Sequence, residues 1–107
     1  MKNFIGKYIR IIKYNPIEET YCKMVYGKVL DVKVESNNDV LLEGKFFLKN
    51  LDKNGRCLSG GYIISEGVYP LTKSIDLYRE VTKREYERFK TNLIDEMIDY
   101  EKTFFKK

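Results

Sequence analysis

The alternation of apolar and polar residues predicts extended strands along the first three quarters of the chain. Residues 20–35 show this pattern most clearly, because methionine, tyrosine, leucine and valine alternate there with lysine, aspartate and glutamate. The alternation slips by one residue near Gly27, which predicts a β-bulge or a sharp bend at that point. Residues 36–39 form a turn of Ser, Asn and Asp, and residues 40–48 are predicted to form the return strand.

The opening segment, residues 4–14, fits two structures. On a helical wheel its aromatic and isoleucine side chains share one side, and its three basic residues share the other. Four isoleucines, two tyrosines and Gly6 instead favour a strand. Pro16 ends the element in either case. We predict a strand.

A hairpin is predicted in the middle of the chain. Asn54-Gly55 is typical of a type I′ turn, because both residues tolerate a positive φ. This turn would join a strand that ends near Leu51 to a second strand over residues 56–64. Gly60-Gly61 would lie inside the second strand and bend it.

The last quarter of the chain predicts one amphipathic helix, after a loop over residues 65–74 and a short strand over residues 75–79. Thr82-Lys83-Arg84-Glu85 reads as a capping box, in which Thr82 accepts a hydrogen bond from the amide of Glu85 and the Glu85 side chain reaches back. A helix of about 22 residues would be roughly 33 Å long. Its apolar residues recur every three or four positions: Tyr86, Phe89, Leu93, Met97, Tyr100 and Phe104.

These elements predict an α+β fold, in which a small antiparallel five-stranded, barrel-like sheet is followed by one long C-terminal amphipathic helix. The 107 residues suit a single domain, with residues 1–80 as the β-rich part and residues 81–105 as the helix. The apolar runs are too short to span a bilayer, and Lys7 and Arg10 interrupt any secretion signal. We therefore expect a soluble cytoplasmic protein with no membrane association.

The composition favours binding over catalysis. The chain has nine tyrosines, six phenylalanines and twenty lysines and arginines, but no histidine. Histidine is the usual proton-transfer group near neutral pH and the commonest metal ligand, whereas tyrosine and arginine are enriched in binding surfaces. Cys22 and Cys57 alone do not supply a zinc site, and we expect two reduced thiols. We predict a protein that is not an enzyme and has no metal or cofactor.

Basic residues are concentrated at the predicted helix start, where the helix dipole favours negative charge. A bound anion would offset this arrangement. The alternative is that neighbouring glutamates neutralise the cations, for example Glu80 with Arg84 one turn apart. At the helix start, the residues predicted to bind an anion are Arg79, Lys83, Arg84 and Arg88. The opening strand adds Lys7 and Arg10, and Tyr62 is available for stacking on a base.

The far end of the helix predicts an interface. A compact domain of this size has a radius of gyration of about 13 Å. A helix of roughly 33 Å is therefore longer than the sheet face on which it would pack. We expect Met97, Tyr100 and Phe104 to pack on a second copy of the chain or on a partner protein. In the first case the protein would be a homo-oligomer.

Two stretches resemble small uncharacterised proteins of bacteriophages and mobile elements. Residues 4–14 look like their opening strand. Residues 79–86 contain Glu80-Val81-Thr82 followed by Glu85-Tyr86, which is similar to the motif of their closing helix. The resemblance implies a protein of the host cell cytoplasm that binds and blocks a host component, including defence proteins and their nucleotide signals.

Three classes of function fit these observations. The first is a non-enzymatic binder of an anionic ligand, either nucleic acid or a signalling nucleotide. The second is a protein-interaction module, an inhibitor of a host protein or a virion component, that uses the apolar helix. The third is an enzyme that uses carboxylates or lysine. We take the first as the working hypothesis.

Overall fold

The computed structural model describes the backbone of residues 1–105 and the side chains of residues 1–99. It has a five-stranded antiparallel sheet followed by one helix, which confirms the predicted fold class. The elements in chain order are a 3₁₀ turn (Lys2–Phe4), β1 (Tyr8–Asn15), β2 (Thr20–Val34), β3 (Asp39–Asn50), β4 (Tyr62–Thr72), β5 (Leu77–Val81) and α1 (Lys83–Phe105). The strand prediction for the opening segment therefore holds from Tyr8 onward, and Phe4 lies in the 3₁₀ turn.

The sheet has the order β4-β3-β2-β1-β5, so every strand except β5 lies beside its neighbour in sequence. The edge strands β4 and β5 are not hydrogen-bonded to each other, so the sheet is open and only loosely barrel-like. It nevertheless curls strongly. Lys13 of β1 donates a hydrogen bond to the Pro70 carbonyl of β4 at 3.1 Å, although two strands separate β1 from β4 in the sheet.

The two faces of the sheet bury different apolar clusters. The concave face holds the larger cluster, whose most deeply buried members include Ile9, Ile11, Val25, Leu42 and Phe46. The convex face carries α1, which packs Tyr86 and Leu93 against Tyr26 and Phe47. Because both faces are covered, β2 and β3 bury adjacent residues and not only alternate ones.

Aromatic rings form most of the contact between the helix and the sheet. The Phe89 ring stacks on the Tyr26 ring with 4.3 Å between centroids. The Tyr86 ring contacts Tyr8 of β1 at 4.7 Å and Phe47 of β3 at 5.8 Å. Such pairs add to the free energy of burial, by about 0.5–1.5 kcal/mol each. The helix therefore crosses the central strands of the sheet.

Gly61 allows the helix to approach the chain between β3 and β4. A Cβ atom at this position would lie 2.2 Å from the carbonyl oxygen of Leu48 and 2.6 Å from Cδ1 of Leu93. Gly60-Gly61 was expected to bend a strand from within, but both residues precede β4, which begins at Tyr62. The predicted hairpin of two strands at Asn54-Gly55 does not form. The chain makes a turn there, with a single β-bridge between Leu51 and Cys57.

Two further predictions are wrong. The irregularity of β2 lies at Leu30, where the pairing with β3 shifts, and not near Gly27. Residues 65–72 are strand and not loop. Pro70 is tolerated because β4 is an edge strand, and its missing N–H faces away from β3.

Candidate anion-binding surface

At the helix start, one of the two hydrogen bonds of the predicted capping box forms. The amide of Glu85 donates to Oγ1 of Thr82 at 3.1 Å, which satisfies one of the free amides of the first turn. The Glu85 carboxylate does not reach back to Thr82. It accepts instead from the Tyr26 hydroxyl at 2.7 Å and from Arg79 at 3.0 Å.

These contacts form a polar cluster beneath the first turn of α1. The hydrogen bond from Tyr26 lowers the pKa of Glu85, and Arg79 lowers it further against the opposing effect of burial. Burial, together with Glu85, raises the pKa of Tyr26 to about 12. Arg10 also lies beside this cluster, and its buried Nε has no hydrogen-bond partner among the described residues. Arg79 thus bonds to the Glu85 carboxylate, and Arg10 acts on it only through its charge.

The neutralising pair considered from the sequence does not form. Glu80 lies 3.3 Å from the ammonium of Lys7 and does not pair with Arg84. Three cations of the first two helical turns, Lys83, Arg84 and Arg88, are exposed, and no carboxylate of the described residues lies within ion-pair distance of them. We call these three residues the helix-start cations.

The predicted anion-binding residues do not converge on one point. Arg10 and Arg79 are directly opposite each other in β1 and β5, on the face that the helix covers. Arg84 and Arg88 are one turn apart on the solvent side of α1, opposite the side that packs on the sheet. Tyr62 is exposed but lies in β4, at the other edge of the sheet from β5.

A second group of cations, which the sequence did not reveal, lies beside the helix. Lys28 of β2 and Lys45 of β3 are directly opposite each other. The ammonium of Lys28 lies 5.8 Å from the centre of the Tyr8 ring, and the ammonium groups of Lys45 and Lys90 lie 5.6 and 5.9 Å from the centre of the Phe47 ring. We call Lys28, Lys45 and Lys90 the lysine cluster.

The lysine cluster is poor in negative charge. Glu87 lies 3.6 Å from Lys90, whereas no described carboxylate pairs with Lys28 or Lys45. Burial raises the pKa of Tyr86, whose ring packs between Tyr8 and Phe47. The Tyr8 and Phe47 rings that lie beneath the ammonium groups both pack against Tyr86, and they give the ammonium groups a fixed support.

The residues predicted as an interface are only partly described. Met97 has 36% of its surface exposed and the neighbouring Ile98 has 43%. Tyr100 and Phe104 lie outside the residues whose side chains are described. One turn before Tyr100, Glu96 pairs with Lys49 of β3 and accepts from the amide of Gly60.

Among the described residues, no group of three or more cysteine, aspartate and glutamate side chains is placed to hold a metal ion, and Cys22 and Cys57 are free thiols. No described helix combines the length and apolar character needed to cross a membrane.

No family model, no curated protein and no solved structure matches this chain. The resemblance to phage proteins stays a prediction, and so does the function that it implies. Support for a function comes from the geometry and charge of the described residues.

Proposed function

We propose that this protein binds nucleic acid by its phosphate backbone, without enzymatic activity, through a surface made of the helix-start cations and the lysine cluster. The observation that carries the proposal is the placement of Lys28 directly opposite Lys45, with no carboxylate of the described residues within ion-pair distance of either. Like charges at directly opposed positions of a sheet destabilise it. A bound phosphate would turn this repulsion into attraction.

Lys83 connects the two groups of cations along the helix. Lys83 and Lys90 are seven residues apart, which is close to two turns, so they lie on the same side of α1, whereas Arg84 and Arg88 lie on its solvent side. Cations in the first turn oppose the helix dipole and cost about 0.3–1 kcal/mol each, and an anion at this end offsets that cost. The acidic pair Asp31 and Glu43, next along β2 and β3 from the lysines, bounds the surface on one side.

The spread of these cations favours a polymer over a single nucleotide. The charges follow two turns of helix and two strands, and they do not meet at one point. Such an array fits a repeating phosphodiester, whose affinity grows with the number of phosphates neutralised. A nucleotide signal would instead need several donors directed at one phosphate group.

Fluorescence anisotropy with labelled single-stranded and duplex DNA, measured over a series of salt concentrations, tests this proposal. We expect binding that weakens steeply with salt. Replacing Lys28 and Lys45 by glutamine should reduce the slope of log affinity against log salt by about 2, since two phosphate contacts are lost. The matched control replaces Lys33 and Lys53, two exposed lysines away from the cluster, by glutamine.

Equal affinity and equal salt slope in the two double variants would refute the lysine cluster as the binding surface. Charge reversal of Arg84 and Arg88 provides a second measurement, and it should abolish binding while leaving the thermal melt unchanged, because exposed charges contribute little to stability. Displacement of the DNA by a stoichiometric amount of a nucleotide would assign the surface to a nucleotide signal instead.

The second candidate is the protein-interaction module, which the exposed apolar side chains of Met97 and Ile98 favour. Static light scattering of the purified protein, before and after Met97→Asp, tests it. A dimer that dissociates in this variant, but not in Ile17→Asp, would support the interface, since Ile17 is a 92% exposed loop residue that serves as the control. A monomer unaltered by either substitution would count against self-association.

A further inference from the structure

An open groove of about 510 Å³ lies at the seam where β4 curls towards the hairpin of β1 and β2. The hairpin contributes Lys13, Tyr14 and Lys23, and β4 contributes Ile64, Val68 and Tyr69. The groove is at the end of β1 remote from the lysine cluster, because Lys23 pairs with Lys13 whereas Lys28 pairs with Tyr8. Its volume is that of a small-molecule site.

A buried ion pair connects the two walls of the groove. The fully buried carboxylate of Asp76 accepts from the Lys13 ammonium at 2.8 Å, from the Tyr14 amide at 2.9 Å and from the Thr72 amide at 2.8 Å. Lys13 also donates to the Pro70 carbonyl, so its side chain crosses the seam. The charge of Lys13 is thereby neutralised, and the two walls of the groove are fixed relative to each other.

One positive charge in the groove has no partner. Lys23 lies directly opposite Lys13 on the neighbouring strand, is half-buried, and has no carboxylate of the described residues within ion-pair distance. The Asp76 carboxylate is committed to Lys13 and two backbone amides. The groove therefore carries one net positive charge beside an apolar lining.

Tyr69 adds an unused hydrogen-bonding group. Its side chain lines the groove and only 7% of the residue is exposed, yet its hydroxyl makes no hydrogen bond with any described residue. The hydroxyl oxygen is not among the buried side-chain atoms that lack a hydrogen-bond partner, so it is accessible to solvent. Burial raises the pKa of Tyr69, with smaller effects from Cys22 and Asp76, so the hydroxyl keeps its proton and can donate.

The edge of β4 supplies a backbone donor and acceptor. The Pro70 carbonyl and the Thr72 amide both point across the seam, away from β3. Backbone groups of alternate residues point to the same side of a strand, so the amide and carbonyl of Val68 also point towards the groove. An unpaired strand edge of this kind is available to a ligand.

We propose that the groove binds a small apolar monocarboxylate, with its carboxylate paired to Lys23 and accepting from the Tyr69 hydroxyl and its apolar body on Ile64 and Val68. The one unpaired ammonium sets the charge of the ligand, and the apolar walls set the character of its body. This site is independent of the nucleic-acid surface and does not rest on that function.

Titration with 2-naphthoate, followed by amide chemical shifts in nuclear magnetic resonance spectra, tests the proposal. We expect the signals of Lys23, Val68 and Tyr69 to move together, and 2-naphthylmethanol, which lacks the charge, to bind more weakly. Lys23→Gln should weaken naphthoate binding about tenfold, the size expected for loss of a charge-assisted hydrogen bond. Tyr69→Phe, which keeps the ring packing, should weaken it severalfold.

The control variant is Lys33→Gln, which removes the same charge from an exposed position of the same strand and should leave the affinity unchanged. Equal affinities for Lys23→Gln and Lys33→Gln would overturn the proposal. So would signals that move only at Lys28 and Lys45, because the naphthoate would then occupy the lysine cluster, and so would an absence of shifts at saturating naphthoate.

Discussion

The hydroxyl of Tyr26 in β2 donates a hydrogen bond to Glu85 in the first turn of α1, with 2.7 Å between the two oxygen atoms. Phe89, one turn further along the helix, stacks on the ring of the same tyrosine. Tyr26 therefore holds the helix to the centre of the sheet by both its polar and its apolar parts. The carboxylate of Glu85 is engaged here and is not free to complete the capping box.

Replacing Tyr26 by phenylalanine should lower the free energy of unfolding by about 1.5 kcal/mol, because a hydrogen bond to a charged group is lost while the ring stacking remains. Urea denaturation measures this change. Tyr62→Phe is the control, since the Tyr62 residue is 55% exposed and its hydroxyl only accepts a bond of 3.3 Å from Asn50. Equal losses in the two variants would mean that the contact with Glu85 contributes nothing.

Replacing Thr82 by alanine should cost about 1 kcal/mol, since the Glu85 amide loses its acceptor. Thermal melts measure the effect. Thr91→Ala, an exposed substitution in the interior of the same helix, should change the midpoint little or raise it, because alanine has the higher helix propensity. A Thr82→Ala melt identical to that of the parent would show that the hydroxyl does not stabilise the helix start.

Acid should destabilise the fold through Glu85 and Glu96. Hydrogen bonds from Tyr26 and from Lys49 lower the pKa values of these carboxyls from the ordinary value of 4.5. The folded protein then binds fewer protons than the unfolded chain, so this stabilisation is complete above pH 4.5 and is lost as pH falls below it. Urea midpoints measured against pH should decline more gently in Glu85→Gln and Glu96→Gln, and Glu66→Gln should follow the parent.

Alanine at position 61 should destabilise the packing of α1 on the sheet. Its Cβ would overlap a backbone oxygen of β3 as well as the Leu93 side chain, so the chain before β4 must move. Overpacking of this kind costs about 1–3 kcal/mol. Urea denaturation should show the loss, whereas Ser59→Ala, two residues away and exposed, should not. A stable Gly61→Ala variant would mean that the helix can shift without cost.

The helix was predictable because a single face repeats every three to four residues from Tyr86 and Thr82 supplies a cap. The position of the bulge in β2 could not be predicted from the sequence. Met24 and Tyr26 face the helix while Val25 and Val29 face the concave core, so apolar residues occur on both faces and alternation does not mark the irregularity. Strand β4 was missed for a different reason, since Gly67 and Pro70 interrupt an interior strand but not an edge strand.

Only the part of the candidate site that lies within one secondary-structure element could be predicted from the sequence. The helix-start cations follow from the sequence of one helix. The lysine cluster depends on the register of β2 and β3, because the paired residue numbers add to 73 before the shift at Leu30, as for Lys28 and Lys45, and to 74 after it, as for Val34 and Val40. Without that shift Lys28 would face Phe46 instead of Lys45. One inserted residue therefore decides whether the two lysines meet.

The pairing of β5 with β1 has a consequence for synthesis of the protein. On the growing chain β1 gains β2 as a neighbour early, but its other edge stays open until Leu77–Val81 has been made. Chains elongate at about 5–20 residues per second, so the nascent protein carries an open strand edge for seconds. Open edges invite pairing between chains on the same messenger. Synthesis of β5 thus ends the interval in which the edge of β1 is open to pairing with other copies of the chain.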